Sequence, residues 1–163
     1  MNRHINFMRH AVAAAFLLCL GAPAGASDIT LSNAWMRPAR AGAAATGVYF
    51  DVRTDVPLKL VGARSAFAKS SAIVLVKQNL DGSSTETQVK EFDLPGGEQT
   101  RFALNGNHVE LREIQEDLPP GITVPVMIEF VETKGNIRRA LEIGVLVRGV
   151  ILPPPPEPEA KKN

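Results

Sequence analysis

Thr46-Gly47-Val48-Tyr49-Phe50-Asp51-Val52-Arg53 is the stretch on which the fold turns. Val48, Phe50 and Val52 recur at every second position, the period that sends successive side chains of an extended chain to opposite faces. The same period continues through Leu58 to Ala63, Ala72 to Gln78, Thr87 to Leu94, Thr100 to Leu104, His108 to Ile114, Thr123 to Glu132 and Arg138 to Val147. Asp81-Gly82, Gly96-Gly97, Asn105-Gly106 and Pro119-Pro120-Gly121 cut these runs apart with residues that suit tight turns. Ala39 to Ala45, all small residues apart from Arg40, reads as a loop. No window holds a 3.6-residue apolar stripe for long. Many short strands at this spacing predict an all-β fold, a Greek-key β-sandwich or barrel forming a single domain.

The ends of the chain differ from this middle. Residues 1–26 carry Arg3 and Arg9, an apolar run from Ala11 to Leu20 and Ala24-Gly25-Ala26, which together predict a cleaved secretory signal. The apolar run is too short to span a bilayer, which takes roughly 20 residues, so no membrane insertion is expected after cleavage, and the mature protein is expected to be periplasmic or secreted. Leu18 before Cys19 does not suit a lipobox. Residues 27–150 form the expected domain. Residues 151–163, with Pro153 to Pro156 and then Glu157-Pro158-Glu159, predict an extended proline-rich tail.

Composition narrows the function. Cys19 is the one cysteine, so a chain beginning at Ser27 has no disulfide, thiolate metal site or cysteine nucleophile. Lys and Arg number 18 against 17 Asp and Glu; without Arg3 and Arg9 the balance is one negative charge. No basic field favours nucleic acid or anionic lipid. His108 is the only histidine beyond the signal, which leaves little for acid–base catalysis. Ser70-Ser71 and Ser83-Ser84 have no elbow motif around them, and Gly96-Gly97 lacks the Lys-Ser/Thr of a phosphate loop. The chain is not expected to be an enzyme.

Six landmarks, in order, give the chain a resemblance. They are Ile29-Thr30-Leu31-Ser32-Asn33-Ala34-Trp35-Met36-Arg37-Pro38, Gly47-Val48-Tyr49-Phe50, Leu60-Val61-Gly62-Ala63-Arg64-Ser65, Leu94-Pro95-Gly96-Gly97, Leu104-Asn105-Gly106-Asn107-His108, and Gly121-Ile122-Thr123-Val124-Pro125 leading to Phe130. Together they resemble the periplasmic PCu(A)C copper chaperones over about 105 residues. The resemblance implies a cupredoxin-like sandwich and a role in copper handling, such as copper delivery during respiratory oxidase assembly. A copper-receiving or other envelope protein is the partner it implies. Trp35 reads as a core residue, and Met36 and Met127 as packing residues rather than ligands.

The family's copper site pairs soft thioether and imidazole donors, with a His-x-Met pair on one face of one strand. The resemblance puts His108 at the His of that pair and Glu110 at its Met; Val76 falls at the first His, and Glu86 or Thr87 at the first Met. The candidate metal residues are therefore His108, Glu110 and Glu86, a nitrogen-and-oxygen set suited to Cu(II) or Zn(II) rather than Cu(I). Residues 148–163 add no His or Met. Two alternatives stand beside this set. In one, His108 caps the turn after Gly106 and Glu110 is a solvated strand residue. In the other, the sandwich is a metal-free protein-binding or scaffold module, with an apolar patch or open strand edge near Val76.

Overall fold

The computed structural model describes residues 28–149. The expected signal over 1–26 and the tail over 151–163 lie outside those residues. The described chain is all β. Its strands are β1 (Ile29–Met36), β2 (Ala45–Thr54), β3 (Leu58–Arg64), β4 (Ala68–Gln78), β5 (Ser84–Val89), β6 (Phe92–Leu94), β7 (Gln99–Phe102), β8 (His108–Ile114), β9 (Thr123–Glu132) and β10 (Arg138–Val147). Their order is β5-β4-β8-β2-β1-β10-β9-β3-β6, with β7 paired to β2. Neighbours run antiparallel except β1 and β10, which are parallel. No helix among the described residues is long and apolar enough to cross a membrane.

Alternation in β2 builds the core. Val48, Phe50 and Val52 point inward, where they meet Met36, Leu60, Val109, Leu111, Ile128 and Phe130, all at 1% exposure or less. Phe50 stacks on Phe102 with ring centroids 4.8 Å apart. The sheet curls until β3 and β4, remote in strand order, face each other. A single side chain spans them: the Ser71 hydroxyl accepts from the Ala63 amide at 3.0 Å and donates to the Ala63 carbonyl at 2.7 Å. The one hydroxyl thereby engages both backbone groups of Ala63 across this seam.

The Asp81-Gly82 turn closes the β4–β5 hairpin as its sequence predicts. Gly82 has φ +81°, in the left-handed region that glycine enters without steric cost. The Asn79 amide donates to the Ser83 carbonyl at 2.8 Å and the Ser83 amide to Asp81 Oδ1 at 2.9 Å.

Three expectations need correction. The run Thr87 to Leu94 is not one strand: it breaks at Lys90-Glu91, and β6 pairs with β3 while β5 pairs with β4. Ala45 belongs to β2 rather than to the preceding loop. Trp35 is not a core residue. Asn33, with φ +53°, forms a bulge in β1 that shifts the register between Ser32 and Trp35. Ile29 and Leu31 face the core before the bulge, Ala34 and Met36 after it, and Trp35 turns to the opposite face.

Candidate functional site

On the face of β2 opposite the core lie Gly47, Tyr49 and Asp51. Cross-strand register sets the rest of that face: Gly47 opposes Glu110, Ala72 opposes Glu110 from the other side, Val74 opposes His108 and Val76 opposes Glu86. Directly opposed residues share a face. His108, Glu110 and Glu86 therefore project on the same side of the sheet, whereas Thr87, opposite Leu75, projects on the other. A cleft of about 370 Å³ opens there, lined by Arg37, Thr46, Gly47, Tyr49, Glu86, Leu104, His108 and Glu110.

His108 is 7% exposed. Its Nδ1 lies 2.9 Å from the Gly106 carbonyl oxygen, which only accepts, so Nδ1 carries the proton and Nε2 keeps the lone pair in the neutral ring. This is the turn-capping contact that stood as an alternative to the metal set, and with it Nε2 sits 3.9 Å from Glu110 Oε1. Glu110 is not a solvated strand residue. Its side chain is 19% exposed, and Arg112 donates to its Oε2 from Nε at 3.0 Å and from a terminal nitrogen at 2.7 Å. The pair of donors engages one carboxylate oxygen and leaves Oε1 toward His108. Glu86 is exposed at the mouth of the cleft. Among the described residues no group of three His, Cys, Asp or Glu converges closely enough to hold a metal ion. The structure thus brings His108 and Glu110 together and leaves Glu86 on the wall.

Tyr49 forms the floor between these groups, and the sequence reading did not single it out. Its ring lies 4.4 Å from Trp35 and 5.8 Å from His108, centroid to centroid. Burial pushes its hydroxyl pKa above the ordinary value, against the opposing pull of Arg37, while Glu110 and Glu86 push the same way as burial. The signal was present in Gly47-x-Tyr49, two residues of one strand face. Arg112, the other residue the sequence reading passed over, shares the face of Glu110 two positions along β8.

Beyond Tyr49 the same face carries a second polar group. Asp51, 4% exposed, accepts from Arg101 at 2.8 and 3.3 Å and from Asn33 at 2.8 Å. The Arg101 and Asn33 hydrogen bonds hold its carboxyl below the usual carboxylate range despite burial.

Solved structures with this architecture include the copper-bound PCuAC domain from PmoF2, 23% identical over 74% of this chain and 92% of that one, with a TM-score of 0.58. The apo PCuAC domain from PmoF1 has 18% identity, 73% and 93% coverage and a TM-score of 0.56. Apo-DR1885 from Deinococcus radiodurans has 23% identity, 93% and 95% coverage and a TM-score of 0.53. Fold and strand order define a cupredoxin-like β-sandwich of the PCuAC type. Residues 29–140 match the family described as LpqE-like, named for a lipoprotein, and the chain belongs to that family. Comparison with curated proteins gives no match.

Proposed function

We propose that this protein handles copper outside the cytoplasm as a weak, readily exchanging carrier rather than a tight Cu(I) chaperone, and that it is not an enzyme. Two lines support the copper reading. The fold is one in which a copper-bound domain is known, and the chain holds an imidazole at the edge of a polar cleft. The observation that carries it is the locked ring of His108, with Nδ1 donated to Gly106 and Nε2 3.9 Å from a carboxylate oxygen. Two donors sharing a four-coordinate ion at about 2.0–2.1 Å each lie about 3.3 Å apart, so a small swing of Glu110 suffices. Glu86 lies on the wall of the same cleft, outside that pair. Imidazole and carboxylate suit Cu(II) or Zn(II), while Cu(I) prefers thioether or thiolate donors.

Val76 falls where the PCu(A)C resemblance implies the first histidine, Glu86 or Thr87 where it implies the first methionine and Glu110 where it implies the second, so on this reading the donors of a tight Cu(I) site are missing. On this reading the natural partner is a copper-receiving envelope protein, and oxidase assembly is the process the resemblance implies. Parallel competition titrations test it, with Cu(I) under anaerobic conditions and Cu(II) in air, on the native chain and His108→Ala. One-to-one Cu(II) binding that His108→Ala abolishes, with no Cu(I) held against a tight chelator, is the expected result. Cu(I) retention by both proteins would overturn it.

A second reading has its own observation. β5 ends the sheet beside Val76, and a metal-free module that binds another envelope protein would use such an edge.

A further inference from the structure

β5 is an unusually open sheet edge. Among the described residues no strand pairs with its outer side, and it ends the strand order. Its ladder with β4 runs without a bulge from Ile73–Val89 to Gln78–Ser84. Ser84-Thr85-Glu86-Thr87-Gln88-Val89 has no proline or lysine within it, and five of its six residues are exposed. Edge strands are ordinarily blunted by bulges, prolines, inward charges or brevity. The opposite end of the sheet follows that rule, since β6 is only 3 residues long. On β5 the one charge is Glu86.

We propose that β5 pairs antiparallel with β5 of a second copy, in the register that sets Thr87 against Thr87 of the partner. Symmetry, overlap of the two strands and charge together select this register. A twofold axis between two antiparallel edges stands normal to the sheet, so each face continues into the same face. Opposed residues must share a face, and only registers that oppose positions of like parity allow this. Centring on Glu86 would oppose two carboxylates, which is destabilising. Centring on Thr85 leaves Gln88 and Val89 outside the ladder, and centring on Gln88, although it would oppose Glu86 to Lys90, leaves Ser84 and Thr85 opposite residues beyond the end of β5. Centring on Thr87 opposes Glu86 to Gln88, Thr85 to Val89 and Ser84 to Lys90, an acid–amide pair, a β-branched pair and a hydroxyl–ammonium pair.

The dimer so formed keeps its two clefts apart. β8 of one copy and β8 of the other are separated by five interstrand spacings of about 4.8 Å, roughly 24 Å in all. The two His108 side chains cannot share an ion in it. Each Glu86, at the seam, instead meets a neighbouring amide, so assembly and cleft are linked through one residue. The inference does not depend on whether the cleft carries copper.

Register-specific cross-linking tests it, in the full chain carrying Cys19→Ser so that the introduced thiol is alone. Thr87→Cys is expected to form a covalent dimer under mild oxidation far faster than Glu98→Cys, an exposed control in the turn before β7, because a disulfide needs Cα atoms about 4.4–6.8 Å apart. Glu86→Cys is expected to cross-link slowly alone and rapidly when mixed with Gln88→Cys. Sedimentation of the native chain should show a concentration-dependent dimer that Thr87→Asp, which opposes two new carboxylates on the axis, dissociates. Circular dichroism of each variant separates loss of pairing from loss of fold. A native chain that sediments as a monomer throughout, or Glu86→Cys cross-linking faster than Thr87→Cys, would overturn the proposal.

Discussion

The ring of Tyr49 lies across the α-carbon of Gly47 on the same strand face: a β-carbon built at position 47 would stand 2.7 Å from Tyr49 Cζ. The cleft floor therefore depends on a missing side chain. Gly47 also opposes Glu110 on β8, so the space it leaves is shared by the aromatic floor and the carboxylate wall.

Gly47→Ala is accordingly expected to displace the Tyr49 ring and destabilise the fold by about 1–3 kcal/mol, the usual cost of overpacking. Tyr49→Ala should relieve that clash, so the two substitutions together should cost less than their sum. Urea denaturation of the four members of the cycle measures it.

Ser71→Ala removes the hydroxyl that both accepts from and donates to Ala63 across the β3–β4 seam. Ala63 is 4% exposed, so its amide and carbonyl lose their partner away from water. A loss of about 1–3 kcal/mol is expected from the unsatisfied groups. Ser71→Thr, which keeps the hydroxyl, should recover part of it.

Asp51 gives the fold an acid-sensitive element. Its folded pKa is lowered by Arg101 and Asn33, so the stabilisation it contributes is present above the unfolded value, about 4, and is lost as pH falls through the folded value. Unfolding free energies measured from pH 7 to pH 2 should fall less steeply for Asp51→Asn than for the native chain at the acid end. Equal slopes would remove Asp51 from the account.

Arg112 competes with any cation for Glu110. Arg112→Gln frees Oε2 and removes a positive charge from the cleft edge, so Cu(II) affinity should rise by about tenfold. A fall in affinity would mean that Arg112 positions Glu110 for the metal instead of withholding it.

Much of this fold was legible because strand alternation is a local signal. β8, β9 and β10 have the bounds their sequences predict, and Gly82 and Gly121 take the positive φ that their turns need. The misreadings occur where alternation is interrupted. Asn33 adopts φ +53° and donates to Asp51, and that single bulge exchanges the faces of Trp35 and Met36. Nothing in Ser32-Asn33-Ala34 announces it except an asparagine, a residue that tolerates the left-handed region. Lys90-Glu91 similarly divides one apparent run between two partners. The site was legible as far as the parity of His108 and Glu110. The Arg112 contact needed the sheet, and so did the choice of Glu86 over Thr87 for the shared face, since it depends on which residue opposes Val76.

The central claim, that His108 Nε2 is the one imidazole donor of a Cu(II) cleft, is tested most directly by pulsed electron paramagnetic resonance of the Cu(II)-loaded chain. The account predicts modulation from a single remote imidazole nitrogen, the Nδ1 held by Gly106, and its disappearance in His108→Ala. Cu(II) bound without that modulation, or with it intact in His108→Ala, would contradict the account.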